Sequence, residues 1–394
     1  MVSKVVRDME KDELELLDAI DRVTPVLMEQ AAVDDAGRTL SAKTVEALRE
    51  TRVAMLKVPV EVGGYDADPM FQMRVFEKIA YANPAAGWVA FVHAGTGWTV
   101  GSGVSDEAAR AIFASEPLMA GLGMPVGTVQ RVDGGYRISG RWPYGSGSRH
   151  ADFVLAHALD DVAGEPGGGE PLDLLQLKTR WAVVPTSDVE FVDNWYVAHL
   201  PGTGSVDVEI DDVFVPDGYS FAAQAIRWEV QRGGVSHHLP FQVNIAPEHI
   251  GFALGVARRA LDEARAAATR RRNVPGAPVL ADRGVFQMEF GRADLELEAV
   301  RELALAVMGQ IWAVASTGAE LDEAIAAKCV ATISYVTQAC CDLALRVHRY
   351  LGSSVTLPLD KPIQRVVRDL IGATQHAAAD GGFIETYAHH LLQG

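Results

Sequence analysis

The stretch GRWPYGSGSRHADF (140–153) places Gly145, Ser146, Gly147 and Ser148 directly after Trp142 and Tyr144, between two apolar runs. Glycine lets a backbone come close to another body. A serine hydroxyl both donates and accepts hydrogen bonds. The pairing suits the close approach of another body; a hairpin turn packed on its own domain has the same composition. Histidines add proton chemistry, because imidazole changes charge near neutrality. His93 stands in the apolar run WVAFVHAGTGW, where a satisfied core histidine is the ordinary reading. His376 lies in PIQRVVRDLIGATQHAAAD, where Arg365, Asp369, Gly372 and His376 recur at helical steps. That spacing predicts Asp369 and His376 on one helix face, two turns apart, with a gap at Gly372 able to take something flat. The plainer reading is a solvated face carrying an intrahelical Arg365–Asp369 pair. His237 and Phe241 fall in QRGGVSHHLPFQVN, a loop expected to border a pocket, and are the candidate substrate contacts.

Other chemistries find no support. There is no Walker loop, and no Gly-x-Gly-x-x-Gly leads from a strand into a helix. GSGS resembles a nucleophile elbow only loosely, since a strand follows it where the elbow needs a helix. His237-His238 and His389-His390 are adjacent pairs, a spacing that does not put both rings on one metal. The net charge of −17 argues against a nucleic-acid partner. It leaves room for a small anion in a local basic pocket. The cysteines Cys329, Cys340 and Cys341 have neither disulfide nor metal spacing and are expected in the core. The charged N-terminus lacks a signal core, and no stretch is expected to span a membrane. A cytoplasmic protein is expected.

Three textures divide the chain. Residues 1–115 carry a helical period, with Leu14, Leu17, Ile20, Val23 and Leu27 on one face and Asn83 as the cap of a helix through His93. Residues 116–225 shorten towards a period of two, in YRISGRW, DFVLAHAL, WAVVPT and VDVEIDDVFVP. DDVAGEPGGGEP reads as a solvated hairpin tip. Residues 226–394 return to long helical stripes, Phe290 to Ile311 and Leu321 to Val347, followed by a last helix capped by Asp360 with Pro362 in its first turn. The expected fold is mainly α with a central β domain: an N-terminal helical domain, a β-barrel-like middle domain and a C-terminal four-helix bundle.

That order, with GGYRISGRWPYGSGSRHADFVLAHA, DNWYVAHLPGTGSVDVEIDDVFVP, AKCVATISYVTQACCDLALRVHRYLGS and PIQRVVRDLIGATQHAAAD, resembles the acyl-CoA dehydrogenase superfamily along nearly the whole chain. Where many dehydrogenases of that family carry a catalytic glutamate after the Arg-Asp pair, this chain reads Gln375-His376-Ala377-Ala378. The pattern is more similar to the branch of two-component flavin-dependent monooxygenases. That resemblance implies an oxygenase component that uses O2 and reduced flavin, FMNH2 or its FAD counterpart, from a separate reductase. It implies a C4a-hydroperoxyflavin that hydroxylates a small aromatic or polyketide-like substrate. It also implies Ser146 at flavin N5, with Ser148 close by, His93 and His376 facing flavin and substrate, Trp142 and Tyr144 shaping the flavin wall or packing beneath it, and Arg272 near the phosphate. One of the two histidines is then expected to take a proton from a phenolic substrate. A homotetramer with flavin between subunits is implied too. A flavin dehydrogenase of the acyl-CoA type, an N-oxygenase of an amino substrate and a scaffold without flavin are the alternatives.

Overall fold

The computed structural model describes residues 9–160, 178–224, 226–270 and 278–393. The N-terminal part holds α1 (Met9–Gly37), α2 (Ala42–Thr51), α3 (Pro69–Ala82), α4 (Pro84–Gly103) and α5 (Asp106–Phe113). In α1 the buried face is Leu16, Leu17, Ile20, Val23 and Leu27. Leu14 is instead 62% exposed, so the apolar stripe begins one turn later than the spacing predicts. Asn83 caps α4 as expected: its side chain accepts from the N–H groups of Ala85 and Ala86, and Pro84 fills the first helical position.

One sheet follows, with strands β1 (Met119–Val132), β2 (Gly135–Gly145), β3 (Phe153–Asp160), β4 (Lys178–Pro185), β5 (Glu190–Val192), β6 (Val206–Pro216), β7 (Ser220–Gln224) and β8 (Arg227–Trp228). Their order is β5-β6-β2-β1-β3-β4-β7-β8. Among the described residues only β1 and β3 pair in parallel; the other pairs are antiparallel. The sheet thus runs to Trp228, slightly past the expected boundary. Most of the glycine-rich DDVAGEPGGGEP segment, and Arg272, lie outside the described residues.

The C-terminal part holds α6 (Phe241–Asn244), α7 (Ala246–Arg270), α8 (Gly284–Ala315), α9 (Glu323–His348), α10 (Ser353–Thr356), α11 (Pro362–Ala373) and α12 (Gly382–Gln393). One apolar core runs from α1, α3 and α4 into α7, α8, α9 and α11. The three cysteines lie within it, and burial raises the Cys329 thiol to about 12 and the Cys341 thiol to about 11. By length and composition α9 could cross a membrane, which the sequence reading did not anticipate. Its apolar faces are those of a bundle helix with neighbours on several sides.

The end of α11 departs from expectation. Lys361, not Asp360, occupies the cap position, and the helix stops at Ala373. His376 therefore shares no helix face with Asp369; it caps the short turn Ala377–Ala379 instead. Nor is Gly372 an open gap. A Cβ placed there would stand 2.7 Å from His199 Cβ, so the chain at His199 and Leu200 already fills it. Asp369 accepts the Leu200 N–H at 2.8 Å and neighbours Arg368, and Arg368 pairs with Asp35. The expected Arg365–Asp369 hydrogen bond does not form; Arg365 Nε and Nη1 have no partner.

Candidate functional site

Helix α4 positions the site. Of its 20 residues only Val92 and Gly95 are not fully buried. One stripe, Ala85, Val89, His93 and Thr96, meets the β domain and its loops at Gly202, Gly147 and Gly121. A second, Trp88, Phe91, Gly95 and Trp98, meets Phe252, His249, Glu248 and His237. At 100° per residue, Val92 and Gly95 fall on the side where these stripes adjoin. That side, between the Ser-Gly turn and α7, is the candidate slot.

On the sheet side, Tyr144 and Gly147 hold positive φ of 62° and 70°. The turn is tied by Ser146 N–H to Tyr144 O (2.8 Å) and Gly147 N–H to Thr203 O (3.0 Å). Ser146 Oγ lies 2.6 Å from Ser205 Oγ, which lies 2.7 Å from Thr203 Oγ1, which donates to Leu200 O at 2.8 Å. A carbonyl only accepts, so the direction of the whole relay is set. Thr203 gives its hydrogen to Leu200, Ser205 to Thr203, and Ser146 to Ser205. Ser146 is left with lone pairs to accept from a ligand. Ser148 Oγ is buried without a partner.

The aromatic neighbours divide. Tyr144 is 65% exposed, edge-on to Trp195, and available as a wall. Trp142 is fully buried in the sheet core, and its indole N–H donates to His157 O at 2.7 Å. It supports the turn from beneath and presents no face to a ligand, which corrects its assignment as a cofactor contact.

The two candidate histidines carry opposite tautomers. His93 Nδ1 stands 2.8 Å from Met119 O and must donate to it, so Nε2 keeps a lone pair; that atom has no partner and faces Gly147. His376 Nδ1 accepts the Ala378 N–H at 3.2 Å, so Nε2 carries the hydrogen. Its ring lies against Trp88 and His249, with centroids 5.3 and 4.8 Å away. Burial lowers His93 to about 4. Burial of the ring lowers His376 as well, although the residue as a whole is exposed. Among the described residues neither ring has a carboxylate at hydrogen-bond distance.

The sequence reading missed His249, Lys57 and Glu248. His249 and Glu248 stand in the first turn of α7, and burial holds His249 well below its ordinary value. Lys57, without exposure, donates to Glu248 Oε2 at 2.9 Å and Asn244 O at 3.0 Å. The Glu248 carboxylate lies against Gly95, 3.3 Å from where a Cβ would stand. His237 and Phe241, the expected substrate contacts, group with Trp98 one turn further along α4.

A pH dependence follows from the buried neutral rings. His93 and His249 bind protons less readily folded than unfolded, so the unfolded chain takes up more protons as pH falls. Stability should be flat above about pH 7 and decline below about pH 6.5, towards a slope of about 1.4 kcal/mol per pH unit for each ring. Urea unfolding across that range checks it; a midpoint unchanged down to about pH 5 would contradict neutral burial.

Comparison with known proteins supplies the kinship. Residues 11–113 match the family model described as acyl-CoA dehydrogenase, N-terminal domain, and residues 249–381 match acyl-CoA dehydrogenase, C-terminal domain. The chain is 29% identical over 374 residues to a pigment production hydroxylase of Rhodococcus sp., covering 93% of each. It is 24% identical over 407 residues to the oxygenase component of an FADH(2)-dependent resorcinol hydroxylase of Rhizobium sp., covering 98% of this chain and 95% of that one. The fold superimposes on XiaF from Streptomyces sp., solved in complex with FADH2 and glycerol, with a TM-score of 0.84 at 23% identity, covering 98% and 96%.

Proposed function

From the premise that this chain belongs to the acyl-CoA dehydrogenase family, we propose that it works as the oxygenase component of a two-component flavin-dependent monooxygenase acting on a small aromatic or polyketide-like substrate. The observation that carries the reading is the Ser146–Ser205–Thr203 relay, because it fixes Ser146 as an acceptor. A reduced flavin ring has an N–H where the oxidised ring has a bare nitrogen. An acceptor therefore favours the reduced form.

The residues fit such a ring. Ser146 and His93 Nε2 offer lone pairs, His376 Nε2 a hydrogen, Ser148 an unpartnered hydroxyl, and Tyr144 an open aromatic face. Bound there, reduced flavin supplies the electrons that divide O2 between the product hydroxyl and water. The protein's part is to hold hydrogens at stated atoms and to keep water out. His93 accepts at Nε2, His376 donates at Nε2, and α4 with α7 closes the slot with apolar and aromatic side chains.

The dehydrogenase alternative needs a free carboxylate base. Glu248 lies against the slot at Gly95, but it is engaged by Lys57. Delivery of reduced flavin falls to a separate reductase, and FMNH2 and FADH2 both suit the relay. The proposal extends to a cytoplasmic homotetramer in which a second copy covers Tyr144 and His376, both open in one chain.

The test is rapid mixing of protein, reduced FMN and O2. The protein should slow flavin oxidation well below the rate in free solution; equal rates would end the proposal. Ser146→Ala should raise the share of electrons lost as hydrogen peroxide. Ser205→Ala keeps the Ser146 hydroxyl but frees its direction, and should cut the preference for reduced over oxidised flavin roughly tenfold, the worth of one hydrogen bond. Titration of both flavin forms measures it.

A further inference from the structure

Resting on the hydroxylase reading, we propose that Asp66 and His237 form a proton-accepting pair for the hydroxyl of an aromatic substrate, with the Trp98 N–H donating to the same oxygen. His237 lies in the turn Val235–His238 and is 2% exposed. Its Nδ1 stands 3.2 Å from Asp66 Oδ1 and 3.1 Å from Ser236 Oγ. The Ser236 hydroxyl gives its hydrogen to Asp66 Oδ1 at 2.6 Å, so its oxygen can only accept from the ring. A carboxylate also only accepts. Nδ1 must therefore carry the hydrogen, and the neutral ring presents a lone pair at Nε2. Among the described residues that buried atom has no partner.

The surroundings hold this arrangement in place. Asp66 Oδ2 accepts the Gly234 N–H at 2.8 Å. Gly233 has a φ of +115°, and a Cβ there would stand 2.3 Å from the imidazole Cγ. The ring can occupy its position only because that residue is glycine. Trp98 Nε1, also buried, is a donor without a partner. The rings of Trp228 and Phe241 lie 5.2 and 6.0 Å from the Trp98 ring. An acceptor, a donor and three aromatic faces together match a phenol. Trp98 stands one turn beyond Gly95, about 4.5 Å along α4, so the pair sits at the end of the slot away from Ser146.

The pair also does what His93 and His376 do not. Neither of those has a carboxylate against its ring, and both environments oppose positive charge. At His237 the substrate O–H bond breaks, and its proton bonds to Nε2. The electron pair stays on the substrate oxygen and enriches the ring, while the imidazolium keeps Nδ1–H against Asp66. The proton passes to solvent when product leaves. Asp66 acts here as a positioning residue.

Binding of para-nitrophenol to the flavin-free protein tests this without turnover. In buffer acidic enough to keep the free dye colourless, bound dye should turn yellow as its phenolate forms. Para-nitroanisole, which lacks the hydroxyl, should bind roughly tenfold more weakly. Asp66→Asn should bind the dye without colour. Trp98→Phe, which keeps a ring and removes only the N–H, should weaken the phenol several-fold and leave the anisole unchanged. Equal binding of phenol and anisole by the wild type, a colourless wild-type complex, or undiminished colour in Asp66→Asn would overturn the proposal. The first two readouts need no variant to fold. Failure of the flavin–oxygen test would leave this titration untouched, so the two readings fall separately.

Discussion

Replacing Lys57 with methionine should destabilise the protein by about 3–5 kcal/mol, the cost of stripping one partner from a buried ion pair. Lys57 is fully enclosed, with its ammonium on Glu248 and the Asn244 carbonyl and 5.5 Å from the centre of the Trp98 ring. Burial opposes both charges, lowering the lysine and raising the glutamate; each is held charged by the other. Without Lys57, Glu248 is a carboxylate in an apolar wall, and it must take a proton to stay folded. The variant therefore acquires a pH dependence of known sign. A carboxyl whose folded pKa is raised loses stability as pH rises from its unfolded value through its folded one. Measured against the wild type at each pH, the stability of Lys57→Met should fall as pH climbs from about 5 to 8, by up to about 1.4 kcal/mol per unit. The double variant Lys57→Met/Glu248→Gln has no stranded charge and should recover most of the loss, with the pH profile of the wild type restored. Denaturant unfolding of the two single variants and the double variant measures the coupling. Additive losses would show that the pair contributes only packing.

The pair also shows where sequence reasoning stopped. Lys57 follows the short helical turn Val53–Met55 in a segment with no period, and Glu248 lies nearly half the chain away. No spacing links such residues; only the packing of α4 against α7 does. Asp66 and His237 meet for the same reason, across 170 positions of which none carries a shared pattern. What the sequence did display was local. Asn83-Pro84 marks the start of α4, and the glycines and serines of 145–148 mark the turn at its side. Gly202-Thr203-Gly204-Ser205 was visible as a motif, but the direction of its hydroxyl relay depends on Leu200 O, which only the folded loop supplies.

The end of α11 misled for a different reason. Nothing in Gly372-Ala373-Thr374-Gln375-His376 is a helix breaker, so the three-four period runs on through it. The chain leaves the helix because His376 turns extended, with φ −75° and ψ 142°, and caps the next turn. That departure puts its ring on Trp88 and His249 rather than above Asp369. Periodicity reports the face a helix would have, not where tertiary contacts end it.

The second large effect is expected at Gly147. Gly147→Val should reduce product formation by about 100-fold while lowering stability only modestly, because the damage falls on geometry. The residue adopts φ +70°, which costs an L-residue about 1–2 kcal/mol, and more for a β-branched one. A Cβ there would meet Val89 Cγ1 at 2.7 Å and the His93 ring at 3.1 Å. Val89 belongs to the buried stripe of α4 and has little room to give. His93 is the freer body, since its one hydrogen bond is Nδ1 to Met119 O and its Nε2 is unheld. The ring should therefore swing away, carrying Nε2 from its place against the Ser-Gly turn. Misplacing a reacting group by about 1 Å is enough for the loss stated. The same shift drags on Gly147 N–H, whose bond to Thr203 O ties the turn to the hydroxyl relay. A smaller probe separates the two routes. Gly147→Ala carries the smaller φ penalty of an unbranched residue and the first contact but no branch beyond it, so a partial loss is expected. His93→Ala in the Gly147→Val background removes the 3.1 Å contact but leaves the φ penalty and the Val89 contact, so it should recover part of the stability without restoring product. If Gly147→Val formed product at the wild-type rate, the approach of α4 to the Ser-Gly turn would have no part in the chemistry, and His93 with it.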